Sequence, residues 1–253
     1  MNPFDLTGRL AVVTGAKRGI GFAMAAALAA AGADVIGVSA SLDPVSSEIA
    51  DRVRALGREF TGYRVDFAQR DEVIAFAQGL AEAERPVDIL VNNAGTIKRA
   101  PAAEHPLDWF DEVLEVDLTS GFVLSQILGR RMLEAGHGRV IFTASLLSFQ
   151  GGINVPGYTA AKSGVAGLVK ALSNEWASRG VTVNGIAPGY IATDNTQALQ
   201  DDPARSQSIL ERIPAGRWGR ADDLAGATVF LASEAAAYVT GAILPVDGGW
   251  LGR

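Results

Sequence analysis

Three residues in one stretch of this 253-residue chain have types and spacing suited to chemistry: Ser145, Tyr158 and Lys162. They fall within VIFTASLLSFQGGINVPGYTAAKSGVAGL, from Val140 to Leu168. A strand ending near Ser145 and a helix starting near Pro156 would stack Tyr158 and Lys162 on one helical face, with Ser145 opposite. A hydroxyl, a phenol and an ammonium converging on one point can move a proton to or from a carbinol oxygen. A free tyrosine titrates near ~10, so a tyrosine base working near neutrality needs its anion stabilised by ~1.4 kcal/mol per pH unit. One ammonium ~5 Å away, at an effective dielectric of ~20, supplies about 3 kcal/mol. The trio accounts for a proton only; a redox partner has to come from elsewhere in the chain.

The elements that must hold the trio recur along the chain. Apolar runs of strand length are LAVVT (10–14), DVIGVS (34–39), DILVNN (88–93), RVIFTAS (139–145), TVNGIA (182–187) and AILPV (242–246), with a further strand-like segment ahead of Asp66. Between them, 46–57, 70–84, 107–135 and 157–179 carry helical patterning. Short apolar runs alternating with helices predict an α/β fold, a doubly wound parallel sheet of about seven strands with helices on both faces. No repeat or linker-like tract divides the chain, which reads as one domain over 1–253. The polar stretch 193–219 has helical patterning at 206–213 and suits either a lid or ordinary surface. The nearly uncharged run 19–38 is almost long enough to span a bilayer, but Gly32 and Asp34 break it into a buried helix followed by a buried strand.

Composition narrows the function classes. A net charge of −6 argues against nucleic acid or an anionic membrane as partner. With no cysteine there is neither a disulfide framework nor a thiolate site, and two histidines make a metal cluster improbable on numbers alone. The start MNPFDLTGRLAVV lacks the pattern of a signal peptide, consistent with a cytoplasmic protein.

The first strand leads into Thr14-Gly15-Ala16-Lys17-Arg18-Gly19-Ile20-Gly21 and an alanine-rich helix. Glycines at such a turn admit a pyrophosphate to the backbone, and the helix N-terminus offers free N–H groups. The spacing is G-x-x-x-G-x-G, neither the G-x-G-x-x-G fingerprint nor a Walker loop. At the end of the second strand, where an acidic residue would bind a ribose 2′-hydroxyl, stands Ser39; Lys17 and Arg18 are either partners for a 2′-phosphate or solvated loop charges. Asp66 is placed either to accept from an adenine amino group or to cap a turn.

Thr14 to Gly21, Asn92-Asn93-Ala94-Gly95, Ser145, Tyr158-x-x-x-Lys162 and Pro188-Gly189 together resemble the short-chain dehydrogenase/reductase family, in order and spacing over essentially the whole chain. The resemblance implies a Rossmann-type fold and hydride exchange with a nicotinamide cofactor. It assigns Tyr158 as acid/base, Lys162 as its tuner and ribose anchor, and Ser145 as hydrogen-bond donor to the substrate oxygen. Phe67, Asn93, Ala94, Gly95, Pro188, Gly189, Ile191 and Thr193 would join the glycine turn in holding the cofactor; Thr193 serves equally as a helix cap. Within the family the second half is similar to bacterial 2-dehydro-3-deoxy-D-gluconate 5-dehydrogenases, through SFQGGINVPGYTAAKSGVAGL, IAPGYIATDNTQAL, RIPAGRWG and VDGGWLGR. That similarity implies a small sugar-acid substrate, NAD(H) with NADP(H) still open, and a homotetramer assembled through two long helices and the C-terminal strand. Ala160, Ala161, Gly164 and Gly167 form a small-residue face suited either to that assembly or to an internal contact.

One position departs from the family. Val116-Asp117-Leu118 carries a carboxylate where an asparagine is usual. The main-chain carbonyl that the family uses in a proton relay survives the change. An ionised side chain there only accepts hydrogen bonds, and beside Lys162 it would hold the ammonium tightly. The expectation is retained activity with a shifted pH profile. Arg99 with Lys98 after the NNAG turn, and Gln150 and Asn154 between Ser145 and Tyr158, are the substrate-side candidates. Gluconate, 2-deoxygluconate and 3-oxoacyl carrier-protein thioesters remain as alternative substrates, and a non-catalytic nucleotide sensor remains as a different class.

Overall fold

The computed structural model describes residues 2–253. Seven parallel strands lie in one sheet in the order β3-β2-β1-β4-β5-β6-β7. They are β1 (Leu10–Thr14), β2 (Asp34–Val38), β3 (Phe60–Tyr63), β4 (Ile89–Asn92), β5 (Gly138–Thr143), β6 (Val181–Pro188) and β7 (Ile243–Val246). Strands β1, β4 and β6 are buried along their whole length, as a sheet covered on both faces requires. β3, at one edge, is half-buried with alternating exposure, which is why its segment FTGY shows no continuous apolar run.

The helices are α1 (Gly19–Ala30), α2 (Glu48–Ala55), α3 (Arg70–Glu82), α4 (Leu107–Leu114), α5 (Ser120–Ala135), α6 (Pro156–Trp176), α7 (Gln197–Gln200), α8 (Pro203–Leu210) and α9 (Ala225–Ala232). Helices α3, α5 and α6 pack one face of the sheet through Phe76, Leu124, Val165 and Trp176. Helices α1, α2 and α9 cover the other through Met24, Leu28, Ile49 and Leu231. The doubly wound α/β architecture expected from the alternating runs is present. The apolar run 19–38 divides into α1 and β2. No helix among the described residues is long and apolar enough to cross a membrane.

Two local departures matter for the site. The expected helix 107–135 is interrupted by a π-helical turn, Glu115–Thr119, in which the Ser120 N–H reaches back to the Glu115 carbonyl. Such turns re-aim one side chain within a helix and recur at functional sites; here the re-aimed segment carries Asp117. The helical patterning at 206–213 is realised as α8, which starts earlier because the Asp202 carboxylate caps the Arg205 N–H at 3.0 Å and Pro203 occupies the first turn.

Sheet order reverses between β1 and β4, and a crevice outside the carboxyl ends of strands at such a switch point is where doubly wound folds bind ligands. The register places Val13 opposite Val91 and Val91 opposite Ile141. Asn93 and Thr143 therefore emerge level with one another at the rim of that crevice, one step beyond Thr14, and the Thr143 hydroxyl donates to Asn93 Oδ1 at 3.1 Å.

Candidate active site

A cleft of about 860 Å³ opens at this rim and runs from the β1–α1 turn to the C-terminal Trp250. Its first half is backbone. A Cβ at Gly21 would stand 2.2 Å from the Gly15 carbonyl oxygen and 2.4 Å from Asn93 Nδ2, so only glycine lets α1 start this close to the turn. No side chain caps the N-terminus of α1, and no acidic residue lies in its first turn. The free N–H groups and the positive end of the helix dipole thus face the cleft, a fit for a pyrophosphate.

Thr14 does not line this cleft. It is buried, and its hydroxyl accepts from both the Asn93 and Ala94 N–H groups at 2.8 Å, while Asn93 Nδ2 donates back to the Thr14 carbonyl at 2.9 Å. Thr14 therefore ties the glycine turn to the NNAG segment instead of touching a ligand. Gly15, Lys17, Arg18, Gly19, Ile20, Gly21, Ser39, Asp66, Phe67, Asn93, Ala94, Gly95, Pro188, Gly189, Ile191 and Thr193 all lie on the cleft wall. The Ser39 hydroxyl accepts from the Lys17 N–H at 3.2 Å, and the Lys17 ammonium donates to the Ser41 carbonyl at 2.8 Å. Asp66 is exposed at the lip and caps its own turn through the Ala68 N–H, leaving its second oxygen open to the cleft. Thr193 faces Gly19 across the cleft, and its N–H donates to Thr196 Oγ1, so it stands at the cleft and also starts the next helical turn.

The trio converges in the middle. Ser145 stands two residues beyond β5 as the cap of a short helical turn: its Oγ accepts from the Leu147 N–H at 3.1 Å, and its own N–H donates to Ser148 Oγ. The Ser145 hydroxyl proton remains free to donate. Pro156 opens α6, and Lys162, one turn beyond Tyr158, sets its ammonium 5.4 Å from the centre of the phenol ring. That ammonium is held from behind, donating to the Thr143 carbonyl at 3.0 Å and pairing with Asp117 Oδ2 at 3.2 Å. Lys162 is 4% and Asp117 5% exposed.

Asp117 is itself anchored, its Oδ1 accepting from the Thr96 N–H at 2.7 Å. Gly95 makes room, since a Cβ there would stand 3.0 Å from Asp117 Oδ2. Burial pushes the Asp117 carboxyl above the usual carboxylate range despite the opposing pull of Lys162 and Thr96. Burial works against the Lys162 charge, yet Asp117 and then Tyr158 outweigh it and hold the ammonium above its ordinary range. Both neighbours of Asp117 are donors, so two acceptor oxygens match this pocket where an amide would offer only one.

The second half of the cleft is side chains. Arg99 lies on its wall and donates to the Asn195 carbonyl at 3.1 Å. Across the other side Arg18 pairs with Asp194 at 3.2 Å, so both arms fasten the segment leading into α7 over the mouth. Gln150 lines the cleft and accepts from Trp250 Nε1 at 3.4 Å. Asn154 does not: it adopts a left-handed backbone (φ 63°) outside the wall, its carbonyl accepting from the Ala100 N–H. Lys98 is likewise turned away, paired with Glu112 at 3.0 Å and lying over Trp109. Five contributors were absent from the sequence reading: Thr96, Thr143, Tyr190, Arg205 and Arg212. Backbone groups of Thr96 and Thr143 leave no mark in a sequence; Tyr190 and Arg212 lie inside the stretches IAPGYIATDNTQAL and RIPAGRWG but nothing in those stretches assigns them a role, and Arg205 belongs to no motif.

Comparison with known proteins agrees with this architecture. A family model described as enoyl-(acyl carrier protein) reductase matches residues 15–251. The 2-dehydro-3-deoxy-D-gluconate 5-dehydrogenase of Pseudoalteromonas atlantica is 59% identical over 253 residues, 100% of both chains. The protein of the same name from Bacillus subtilis is 53% identical over 250 residues, 99% of this chain and 97% of that one. A solved structure of a putative 2-deoxy-D-gluconate 3-dehydrogenase from Agrobacterium tumefaciens, with bound NADP, has a TM-score of 0.94 and 52% identity, covering 100% of each chain. Similarity of this depth, running through the glycine turn and the Ser145–Lys162 stretch alike, reaches beyond a shared fold: the chain is an oxidoreductase and belongs to the short-chain dehydrogenase/reductase family.

Proposed function

We propose that this chain interconverts a secondary alcohol and a ketone on a sugar acid, with 2-dehydro-3-deoxy-D-gluconate oxidised at C5 as the leading substrate and NADP(H) as the preferred cofactor. One observation carries the reading: Ser145, Tyr158 and Lys162 line the same cleft as an uncapped helix N-terminus behind a glycine turn. The names of the relatives supply the substrate class. When bound, the nicotinamide supplies hydride exchange.

The chain's own residues handle the proton. In oxidation the Tyr158 phenolate oxygen takes the proton of the substrate hydroxyl, and in reduction the phenol returns it to the carbonyl oxygen. Lys162, 5.4 Å from the ring, stabilises the phenolate form. The free Ser145 hydroxyl donates to the same substrate oxygen as charge develops on it. Asp117 and the Thr143 carbonyl keep the ammonium aimed.

NADP(H) is favoured because no carboxylate stands at the end of β2, while Lys17, Ser39 and Ser41 meet there and Arg18 is adjacent. The whole of 1–253 would act as one catalytic domain, placed in the cytoplasm by its need for a diffusible nicotinamide cofactor. A homotetramer is supported by the exposed Leu107 and Phe122 on the α4–α5 helix and by the open edge of β7. The small-residue face of α6 divides: Ala161 and Gly164 pack inward, Gly164 against Leu118, while Ala160 and Gly167 face out.

The test is to follow NADPH and NADH formation with 2-dehydro-3-deoxy-D-gluconate, D-gluconate, 2-deoxy-D-gluconate and a 3-hydroxyacyl thioester, alongside light scattering for the assembly. Turnover of the first acid with NADP at a higher kcat/KM than with NAD is expected. Turnover confined to the thioester overturns the substrate, and a preference for NAD overturns the cofactor assignment.

A further inference from the structure

The far end of the cleft is built around a small core of its own. Leu146, Ile209, Ile213 and Trp250 pack together, joined by Tyr190 and Trp218, apart from the two cores that flank the sheet. Leu146 directly follows Ser145, so this cluster begins one residue beyond the hydroxyl that faces the reacting oxygen. Trp250 is 4% exposed, its indole N–H engaged by Gln150 and its ring 4.7 Å from that of Tyr190. On this fixed platform lies Arg212, its guanidinium carbon 3.9 Å from the Trp250 ring centre. Stacking uses the face of a guanidinium and leaves the N–H edge in plane and available. Among the described residues no carboxylate or carbonyl takes that edge, although Arg212 lies on the cleft wall.

The surroundings select for an anion. Six cationic and four acidic side chains line the cleft of a chain whose net charge is −6, so the wall is positive where the molecule as a whole is negative. Lys162 already has Asp117, Arg18 has Asp194, and Arg99 and Lys17 have carbonyl acceptors. Arg205 is also without a side-chain partner, but nothing fixes its orientation. Arg212 alone joins an unpaired guanidinium edge to a rigid aromatic support.

We propose that Arg212, held over the Trp250 ring, is the carboxylate anchor of this cleft. It receives the C1 carboxylate of the sugar acid in a two-pronged ion pair and so presents the opposite end of the carbon chain to Ser145 and Tyr158. The assignment rests on the sugar-acid reading above and adds to it the residue that sets acid against neutral sugar. A guanidinium matches the two oxygens of a carboxylate, a match that a lysine point charge reproduces only in part.

The experiment compares wild type, Arg212→Ala, Arg212→Lys and Arg205→Ala, each saturated with NADP, on two substrates. One is 2-dehydro-3-deoxy-D-gluconate; the other is 3-deoxy-D-fructose, the same chain with a hydroxymethyl group in place of the carboxylate. Removing a charge-assisted pair should raise KM for the acid about 10- to 100-fold in Arg212→Ala, with kcat nearly unchanged. Arg212→Lys should fall between, and 3-deoxy-D-fructose should be handled alike by wild type and variants. An unchanged KM for the acid overturns the proposal. So does an equal loss on both substrates, which marks a merely structural role, or an effect confined to Arg205→Ala. If wild type turns over no sugar acid, the functional reading falls by itself. Calorimetric titration of the NADP complex with D-gluconate then still decides Arg212: weaker binding by the alanine variant upholds the anchor, and equal binding removes it.

Discussion

The two halves of the cleft are made of different material. The cofactor half is backbone: glycines, a bare helix N-terminus and carbonyls, seated on strands buried on both faces. The substrate half is side chains on short helices and loops, Arg99, Gln150, Arg212 and Trp250, assembled around a four-residue core. Backbone geometry serves a ligand part common to a whole family, whereas side chains on loops can be exchanged without disturbing the sheet. Ser145, Tyr158 and Lys162 stand at the seam, where on the proposed reading both ligands would meet.

Substitutions can break this division, and the largest effect should come at the seam. Tyr158→Phe removes the proton carrier and leaves the ring in place, so kcat should fall about 10²- to 10⁴-fold. NADPH binding, followed by fluorescence titration, should stay close to wild type; a variant that loses cofactor binding instead would merge the two halves. Gly21→Ala attacks the cofactor half alone. Its methyl would collide with the Gly15 carbonyl at 2.2 Å, an overpacking cost of about 1–3 kcal/mol. A lower melting temperature and at least tenfold weaker NADPH binding are expected, and unaltered affinity would show that the dinucleotide does not use this turn.

Asp117→Asn tests the support behind the seam. The amide cannot accept from both Thr96 and Lys162, and burial then acts on Lys162 without its counter-charge. Because Asp117 is what raises the lysine against burial, its loss lowers the pH at which the ammonium deprotonates. The alkaline limb of the rate–pH curve should therefore move to lower pH with activity retained, and a superimposable curve would uncouple Asp117 from the chemistry.

The smallest effect should come from Asp223→Asn, at the base of the segment that closes the substrate half. Hydrogen bonds from Arg217 and the Arg220 N–H hold the Asp223 carboxyl at about 2, below the ordinary 3.8. A depressed carboxylate contributes stability above its unfolded value and loses it as pH falls through the folded one. The variant should be slightly less stable at neutral pH, and its difference from wild type should close between about pH 4 and pH 2 in acid-unfolding curves. A difference that persists below that window would assign the effect to packing instead of charge.

The legibility of the molecule follows the same division. The strands β1, β2, β4, β5 and β6 were readable because parallel strands covered on both faces are written as unbroken apolar runs, and β7, part-buried at the other edge, because AILPV is apolar throughout. The edge strand β3 was marked only as a strand-like segment because half-burial dilutes the signal. Gly15, Gly19 and Gly21, and Tyr158 with Lys162, could be read because their constraints act within a few residues. Thr14 sat inside the right motif with the wrong role, since its hydroxyl is consumed by Asn93 and Ala94, residues far along the chain. Asn154 looked like a polyol partner from its place between Ser145 and Tyr158, but a left-handed turn carries it outside the wall.

By itself, then, the sequence determined the sheet, the glycine turn and the spacing of the proton-moving pair, all of them consequences of local periodicity and steric demand. Only the tertiary structure decided what stands behind Lys162 and what lies beyond Ser145. The π-turn that brings Asp117 to the ammonium, and the stacking of Arg212 on Trp250, join residues with no shared period and no common motif. Such pairings depend on where separate elements come to rest on the sheet, and packing sets that position.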